Sequence, residues 1–406
     1  MVATAQPPLL VPSPAVQQAP TQQTGQKVHS FREASVERLE NILTISKTET
    51  TGTQPNINKV LGTGFMRSLL LKSIMTTSGN SANTAYTEGG IFDSIGQVVL
   101  HDTNGDLSNL SRGQHWRYLD LYFGANQYPP IGDGAVSNTY ATALSYNSND
   151  SNDIVQVVSG TGSTGGSFTF WLELPVAIND RDLRCLVGNQ DQAQTYDFRA
   201  DYAGSGQVYL TAPSNLGTLV QTLYYMSRTV PSLYNPDGSQ NQPTPNTYGM
   251  LHYWLESTDP ALPTPGQVVH RLQRLGQTLR GFVLVFRQGS ATQGRANAEA
   301  AMPTSIQVKI GDQTLFTEDT TARRYLMRRR YGFDAPDGCL AYDWAHDFRG
   351  YQANGEFGDD WIYTQDITQF QIIATYPTGF TSSASNLLTY LTDDMSIPAG
   401  IDPMNV

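Results

Sequence analysis

Charge is scarce in this 406-residue chain. Asp, Glu, Lys and Arg make up 15% of it, against about a quarter in an average soluble domain. Only Lys27, Lys47, Lys59, Lys72 and Lys309 are lysines. The balance of 25 basic against 36 acidic residues gives a formal net charge of −11. Such a chain repels phosphate, so its body is not expected to hold nucleic acid, with or without sequence preference. Cysteine is limited to Cys185 and Cys339, far apart in the chain. That excludes a disulfide framework and leaves two structural thiols as the expectation. No run of 18 apolar residues occurs, which excludes a helical membrane span. The opening residues, MVATAQPPLLVPSPAV, lack the charged and apolar regions of a secretory signal, and folding in a reducing cytoplasm is expected.

Motifs for chemistry are missing too. His29, His101, His115, His252, His270 and His346 include no pair spaced as zinc ligands, either with one another or with cysteine. There is no GxSxG elbow, HExxH helix or phosphate-binding loop; the Gly160–Gly166 run lacks the lysine such a loop needs and reads as a surface turn. Asp102, Asn104 and Asp106 match the first three oxygen positions of a calcium loop. The match then fails, because the twelfth position is Gly113 rather than a glutamate. Asn104-Gly105 is a hairpin signal instead. His346-Asp347 beside Asp343 reads as solvated loop rather than a metal corner. No catalytic centre, cofactor or metal is expected, and the chain is read as a non-enzyme.

What is present points to β structure. Hydrophobic residues make up 39% and aromatics 10%, with 21 tyrosines and 36 glycines, enough for real cores and many turns. Arginine far outnumbers lysine, and its planar fork suits fixed protein–protein contacts. Period-two alternation marks strands at Phe168–Leu174, at Leu119, Leu121 and Phe123, at Ile306–Ile310, at Leu340, Tyr342 and Trp344, and at Phe370, Ile372 and Ala374. Phe282 to Phe286 is apolar throughout, as for a strand buried on both faces. Long polar loops are expected over Asn126–Asp153 and Pro231–Asn246.

Helices are expected at three places. Ser30 and Glu33 form a capping box, and Val36, Leu39, Ile42 and Leu43 follow at helical spacing, which predicts an amphipathic helix from Phe31 to about Asn41. A second is predicted over Asn179–Val187. A third runs over Thr317–Tyr331, with Glu318 and Asp319 at its start and Arg328, Arg329 and Arg330 at its end, in the order that complements the helix dipole. The last two each lie between strong strands, so two β units of similar order are expected, joined through the proline-bearing stretch Asn235–Asn246. The divisions are 1–48 for a flexible arm with its helix, 49–245 for the first unit, 246–380 for the second and 381–406 for a tail.

Three stretches carry a family resemblance. They are GFMRSLLLK with IFDSIGQVVLHDTNGD and QHWRYLDLYFG; GGSFTFWLELPVAINDRDLRCLVGNQ with TYDFRADY; and RRRYGFDAPDGCLAYDW, preceded by VVHRLQRLGQTLRGFVLVFRQGS. In this order the chain resembles the double jelly-roll major capsid proteins of tailless, membrane-containing bacteriophages of the tectivirus type. The arm, the long loops and the chain after about Pro377 depart from the family pattern. The resemblance implies an all-β double jelly roll with a few short helices, two eight-stranded sandwiches side by side. It implies homotrimers of pseudo-hexagonal outline that tile an icosahedral virion shell around an internal membrane. Vertex (penton) and minor capsid proteins would be further partners, and the arm could reach the membrane. Candidate contacts between subunits are Phe31, Val36, Leu39 and Leu43 in the arm, and Arg323, Arg324, Arg328, Arg329 and Arg330 on the last helix. A carbohydrate-binding or adhesin β-sandwich is the alternative, and an enzyme on a double-barrel scaffold would need clustered histidines that the spacing does not offer.

Overall fold

In the computed structural model the described residues are 28–60, 64–76, 85–86, 92–103, 105–124, 167–178, 185–189, 196–211, 215–245, 250–259, 265–272, 275–288, 296–297, 302–331, 335–344, 361–364, 367–378 and 387–396. Among the described residues sixteen of the strands build the two main units. The first eight are β1 Glu37–Thr48, β2 Ile57–Val60, β3 Phe65–Thr76, β4 Ile95–His101, β5 Asp106–Leu110, β6 Ser167–Pro175, β7 Tyr196–Tyr202 and β8 Thr218–Arg228. They form one sheet in the order β1-β8-β3-β6 and half of another in the order β2-β7-β4-β5. The second eight are β9 His252–Asp259, β10 Gly266–Arg271, β11 Thr278–Gln288, β12 Ser305–Ile310, β13 Gln313–Asp319, β14 Cys339–Asp343, β15 Phe370–Tyr376 and β16 Leu387–Met395. Their orders are β9-β16-β11-β14 and β10-β15-β12-β13. The two units therefore share one topology, 1-8-3-6 over 2-7-4-5, which is an eight-stranded jelly roll twice over.

Alternation sets the inner faces. Phe170, Leu172 and Leu174 are buried while Trp171 and Glu173 on the same strand are half-buried. Phe170 meets Phe92 edge-on at 5.0 Å across the first sandwich, and Phe282 meets Phe370 at 6.1 Å across the second. Phe282 to Phe286 of β11 are all at most 1% exposed. One face of β11 looks into its own sandwich and the other onto the first unit, because a parallel pairing of β5 with β9, Ser108 opposite Trp254, fuses the two units into one sheet. Cys185 and Cys339 are both buried thiols, not joined in a disulfide.

Several expectations need correction. The helix at Phe31 stops at Ala34. Its capping box is present, with Ser30 Oγ accepting the Glu33 N–H at 3.4 Å and Glu33 Oε2 accepting the Ser30 N–H at 3.1 Å. From Glu37 the chain is strand β1, paired with β8. A bulge explains the false helical period: Leu43 faces Leu223 but Asn41 faces Tyr224, so Ile42 is an extra residue that breaks the period of two. The run at Trp116–Phe123 is not a strand but helix α2, Gly113–Phe123; the four residues at Phe31–Ala34 are α1. Nine of its eleven residues are buried, so it has no polar face by which a helix is usually told from a strand. The hairpin turn at Gly105 joins β4 to β5, and Asp102 Oδ1 accepts the Gly105 N–H at 2.8 Å.

The last helix, α3, runs Thr320–Tyr331. Thr317 to Asp319 belong to β13, and Asp319 Oδ1 caps the helix by accepting the N–H groups of Thr321 at 2.8 Å and Ala322 at 3.2 Å. Residues 179–184 lie outside the described residues, and Val187–Gly188 pairs with β3 instead of ending a helix. The supposed tail holds β16, which lies between β9 and β11. The arm likewise holds β1. In a jelly roll the eighth strand sits between the first and third, so both ends of each unit are structural. The loops at 126–153 and 160–166 and the His346-Asp347 pair lie outside the described residues.

Candidate assembly surface

α2 lies where the two units meet. Its own unit holds it through Trp116, whose indole N–H donates to the Glu173 carbonyl of β6 at 2.8 Å. Gly113 opens it because a Cβ there would strike the Phe92 carbonyl oxygen. The second unit meets its other side. Phe123 packs on Gly281 of β11, and Tyr122 meets Tyr331 at 4.8 Å.

A polar network crosses the same seam. His115 Nδ1 lies 2.7 Å from Glu256 Oε2 on β9, and Arg287 of β11 donates to His115 Nε2 at 2.9 Å and to Gln114 Oε1 at 2.6 Å. Because Arg287 can only donate, Nε2 accepts and Nδ1 carries the proton toward Glu256. Ser111 adds its N–H at 2.7 Å and its hydroxyl at 2.8 Å. Burial holds His115 below its ordinary 6.5, Arg287 pushing the same way and Glu256 opposing. Burial alone would raise Glu256, but His115 and Ser111 outweigh it and hold the carboxyl down to about 2.

Both folded-state values lie below the ordinary ones, 6.5 and 4.5. The unfolded chain therefore takes up the extra proton, at His115 below pH 6.5 and at Glu256 between pH 4.5 and 2, and acidification destabilises the seam in both windows. Thermal melting of the protein is expected to fall on acidification. The gap between it and a Glu256→Gln variant should narrow below pH 4.5; parallel curves would remove the network from the effect.

The residues expected at subunit contacts fall into two groups. Phe31 is 2% exposed and meets Phe65 at 5.1 Å, and Leu43 packs against the main core. Both serve their own chain. Val36 and Leu39 are 63% and 56% exposed. The arginines of α3 divide likewise. Arg323 Nε donates to the Ala341 carbonyl at 2.9 Å and its guanidinium lies 4.3 Å from the Tyr342 ring. Arg324 reaches the Ala335 carbonyl at 2.8 Å, and Arg330 the Asp343 carbonyl at 3.2 Å. These three anchor α3 to its own unit; Arg323 and Arg324 are half-buried, and Arg328, Arg329 and Arg330 are exposed.

Sequence reasoning missed two features of this surface. One is the outward face of the β1-β8-β3-β6 sheet, where Trp171 and Tyr224 rings lie 5.6 Å apart and Lys72 sits 5.0 Å from the Trp171 ring. Alternation marked Trp171 as facing away from the core without saying what meets it. The other is the outer side of α3, where Tyr325 and Leu326 are exposed, as is Leu315 of β13. Among the described residues no group of three or more His, Cys, Asp or Glu is placed to hold a metal, and no helix is long and apolar enough to cross a membrane.

No protein-family model matches the sequence, and no curated protein matches it. Solved structures match in shape. The MCP of STIV, the Sulfolobus Turreted Icosahedral Virus, aligns with a TM-score of 0.55 at 13% identity over 90% of this chain and all of its own. The PBCV-1 virus capsid model aligns at 0.56 and 12% identity over 89% of this chain and 94% of the other. The major capsid protein P2 from bacteriophage PM2 aligns at 0.50 and 10% identity over 90% and 100%. The fold is the double jelly roll. At these identities the likeness is one of architecture, and it extends over about nine-tenths of the chain.

Proposed function

We propose that this chain is the major capsid protein of a virion, working by self-association and without a reactive centre. The observation that carries the reading is the pair of eight-stranded jelly rolls fused edge to edge through β5 and β9, the architecture shared along nine-tenths of the chain with viral capsid proteins. Three copies would present six similar units, the outline that tiles an icosahedral shell. In this reading the shell encloses an internal membrane, vertex and minor capsid proteins complete it, and the chain folds in the host cytoplasm before assembly. Residues 1–27 act as a clamp on a neighbour or on the membrane.

The purified protein should sediment at three times the 44.5 kDa chain mass and show six-lobed particles in negative stain. A single-chain species at every concentration would end the trimer reading. Deleting residues 1–27 should leave trimers and impair shell formation. The cut must stop there, because Phe31 is core and Glu37 opens β1.

A further inference from the structure

The two jelly rolls correspond in detail at their helices. α2 and α3 each follow the fifth strand of their unit and precede the sixth. Each carries Arg-Tyr-Leu, at 117–119 and at 324–326. In each, the residue before that tripeptide donates to a main-chain carbonyl of the sixth strand: Trp116 to Glu173, Arg323 to Ala341. The two carbonyls are also matched in position, Glu173 lying opposite Leu70 on the third strand of one unit and Ala341 opposite Val283 on the third strand of the other.

The outer sides of these matched helices differ. Tyr118 and Leu119 are completely buried, whereas Tyr325 and Leu326 are 65% and 45% exposed. The sheet faces differ in the same way. α2 covers the outward face of β9-β16-β11-β14, touching it at Gly281 and Arg287, and Val283 and Val285 between them are fully buried. The matching face of β1-β8-β3-β6 carries Leu39, Leu70, Lys72, Trp171 and Tyr224, each exposed or half-buried. The strand edges differ too. β5 is paired with β9, while their counterparts β13 and β1 each end a sheet. Among the described residues one chain thus has a helix face, a sheet face and two strand edges without a covering element, and each is the counterpart of an element covered at the internal seam.

We propose that α3 and β13 of one copy dock on the outward face and β1 edge of the first jelly roll of a second copy. The contact repeats between chains the seam that α2 and β5 make within one. It rests on the self-assembly reading and names the surfaces that reading uses. Exposed strand edges and apolar patches are liabilities unless something covers them. A second copy brings the two complementary halves already shaped for each other. The contact is head-to-tail, so each chain gives one half and receives the other, and a ring of copies leaves neither open. Tyr325 and Leu326 would settle on the Trp171 and Tyr224 rings.

Two exposed-site variants test this. One, Tyr325→Asp with Leu326→Glu, blocks the giving side; the other, Leu39→Asp with Trp171→Glu, blocks the receiving side. Each alone is expected to lose the trimer and sediment as a single chain with an unchanged circular dichroism spectrum. Mixed at high concentration they should form two-chain complexes and no trimers, since one intact contact is left per pair. A trimer surviving in either variant, or a mixture that stays single-chain, overturns the assignment while leaving the capsid reading in place. A single-chain unsubstituted protein would remove both. Amide exchange on the unsubstituted protein needs no variant to fold: residues 320–331 and 37–48 should exchange more slowly in trimers than in dissociated chains, and equal rates overturn the assignment.

Discussion

Replacing Gly281 with valine is expected to abolish folding, or to cost about 4 kcal/mol or more if the chain still folds, beyond the usual range for overpacking. Gly281 lies on β11 between Asp393 of β16 and Asp343 of β14, where the ladder with β16 changes register. A Cβ there would lie 2.6 Å from Phe123 Cζ and 2.6 Å from the Tyr342 carbonyl oxygen, with Phe123 Cε1 nearer still. The carbonyl belongs to the sheet and cannot move away. Phe123 ends α2 and is 4% exposed, so its ring has nowhere to turn. The clash would push the two jelly rolls apart at the point where aromatic packing joins them. Gly281→Ala should cost less, and adding Phe123→Ala should cost less than the two single changes summed, because the ring is half of the clash. Denaturant unfolding of the parent and these variants measures this. A valine variant that melts within a few degrees of the parent would mean the seam yields.

The same seam shows what could be read from the residues and what could not. The strands were legible wherever one face is buried and the other wet, as in β6, β12 and β15, because period two is then imposed by the pleat. They were illegible where a third layer intrudes. α2 is covered on all sides, and its Leu119, Leu121 and Phe123 satisfy period two by accident. β1 lost its period to the bulge at Ile42. β16 was passed over as tail because its buried Thr389, Thr392, Asp393 and Asp394 look like surface residues; they are buried because the first unit covers the face on which some of them stand. Of the proposed contact residues, Val36 and Leu39 proved exposed, and Phe31 and Leu43 did not. An apolar residue near a chain end reads the same whether it fills its own core or awaits a neighbour's. The pairing of Arg117–Leu119 with Arg324–Leu326 was in the sequence all along, but a tripeptide match is noise until hydrogen bonds to matched strands give it a frame.

Asp393→Leu is the second change expected to do severe damage, about 3–5 kcal/mol, the usual cost of stranding one partner of a buried ion pair. Asp393 and Arg280 are both 0% exposed, and Arg280 Nη1 donates to Asp393 Oδ1 at 3.1 Å. His252 Nε2 lies 2.6 Å from the same oxygen. A carboxylate only accepts, so that nitrogen carries the ring proton, and Arg280 Nη1, 3.0 Å from it, is a neighbour through the shared acceptor. The guanidinium also lies 5.6 Å from the Trp361 ring, and Trp361 packs with Ile178 and Cys185 of the first unit. Taking away the carboxylate removes a charge partner 3.1 Å from the Arg280 guanidinium, at a place where neither side chain is exposed and water cannot take over its role. Charge rather than shape is then the cause, and Arg280→Met added to Asp393→Leu should restore most of the loss. Urea midpoints of the two variants decide between causes: a double variant no better than Asp393→Leu would place the cost in packing, and a single variant within 1 kcal/mol of the parent would show that water reaches the pair.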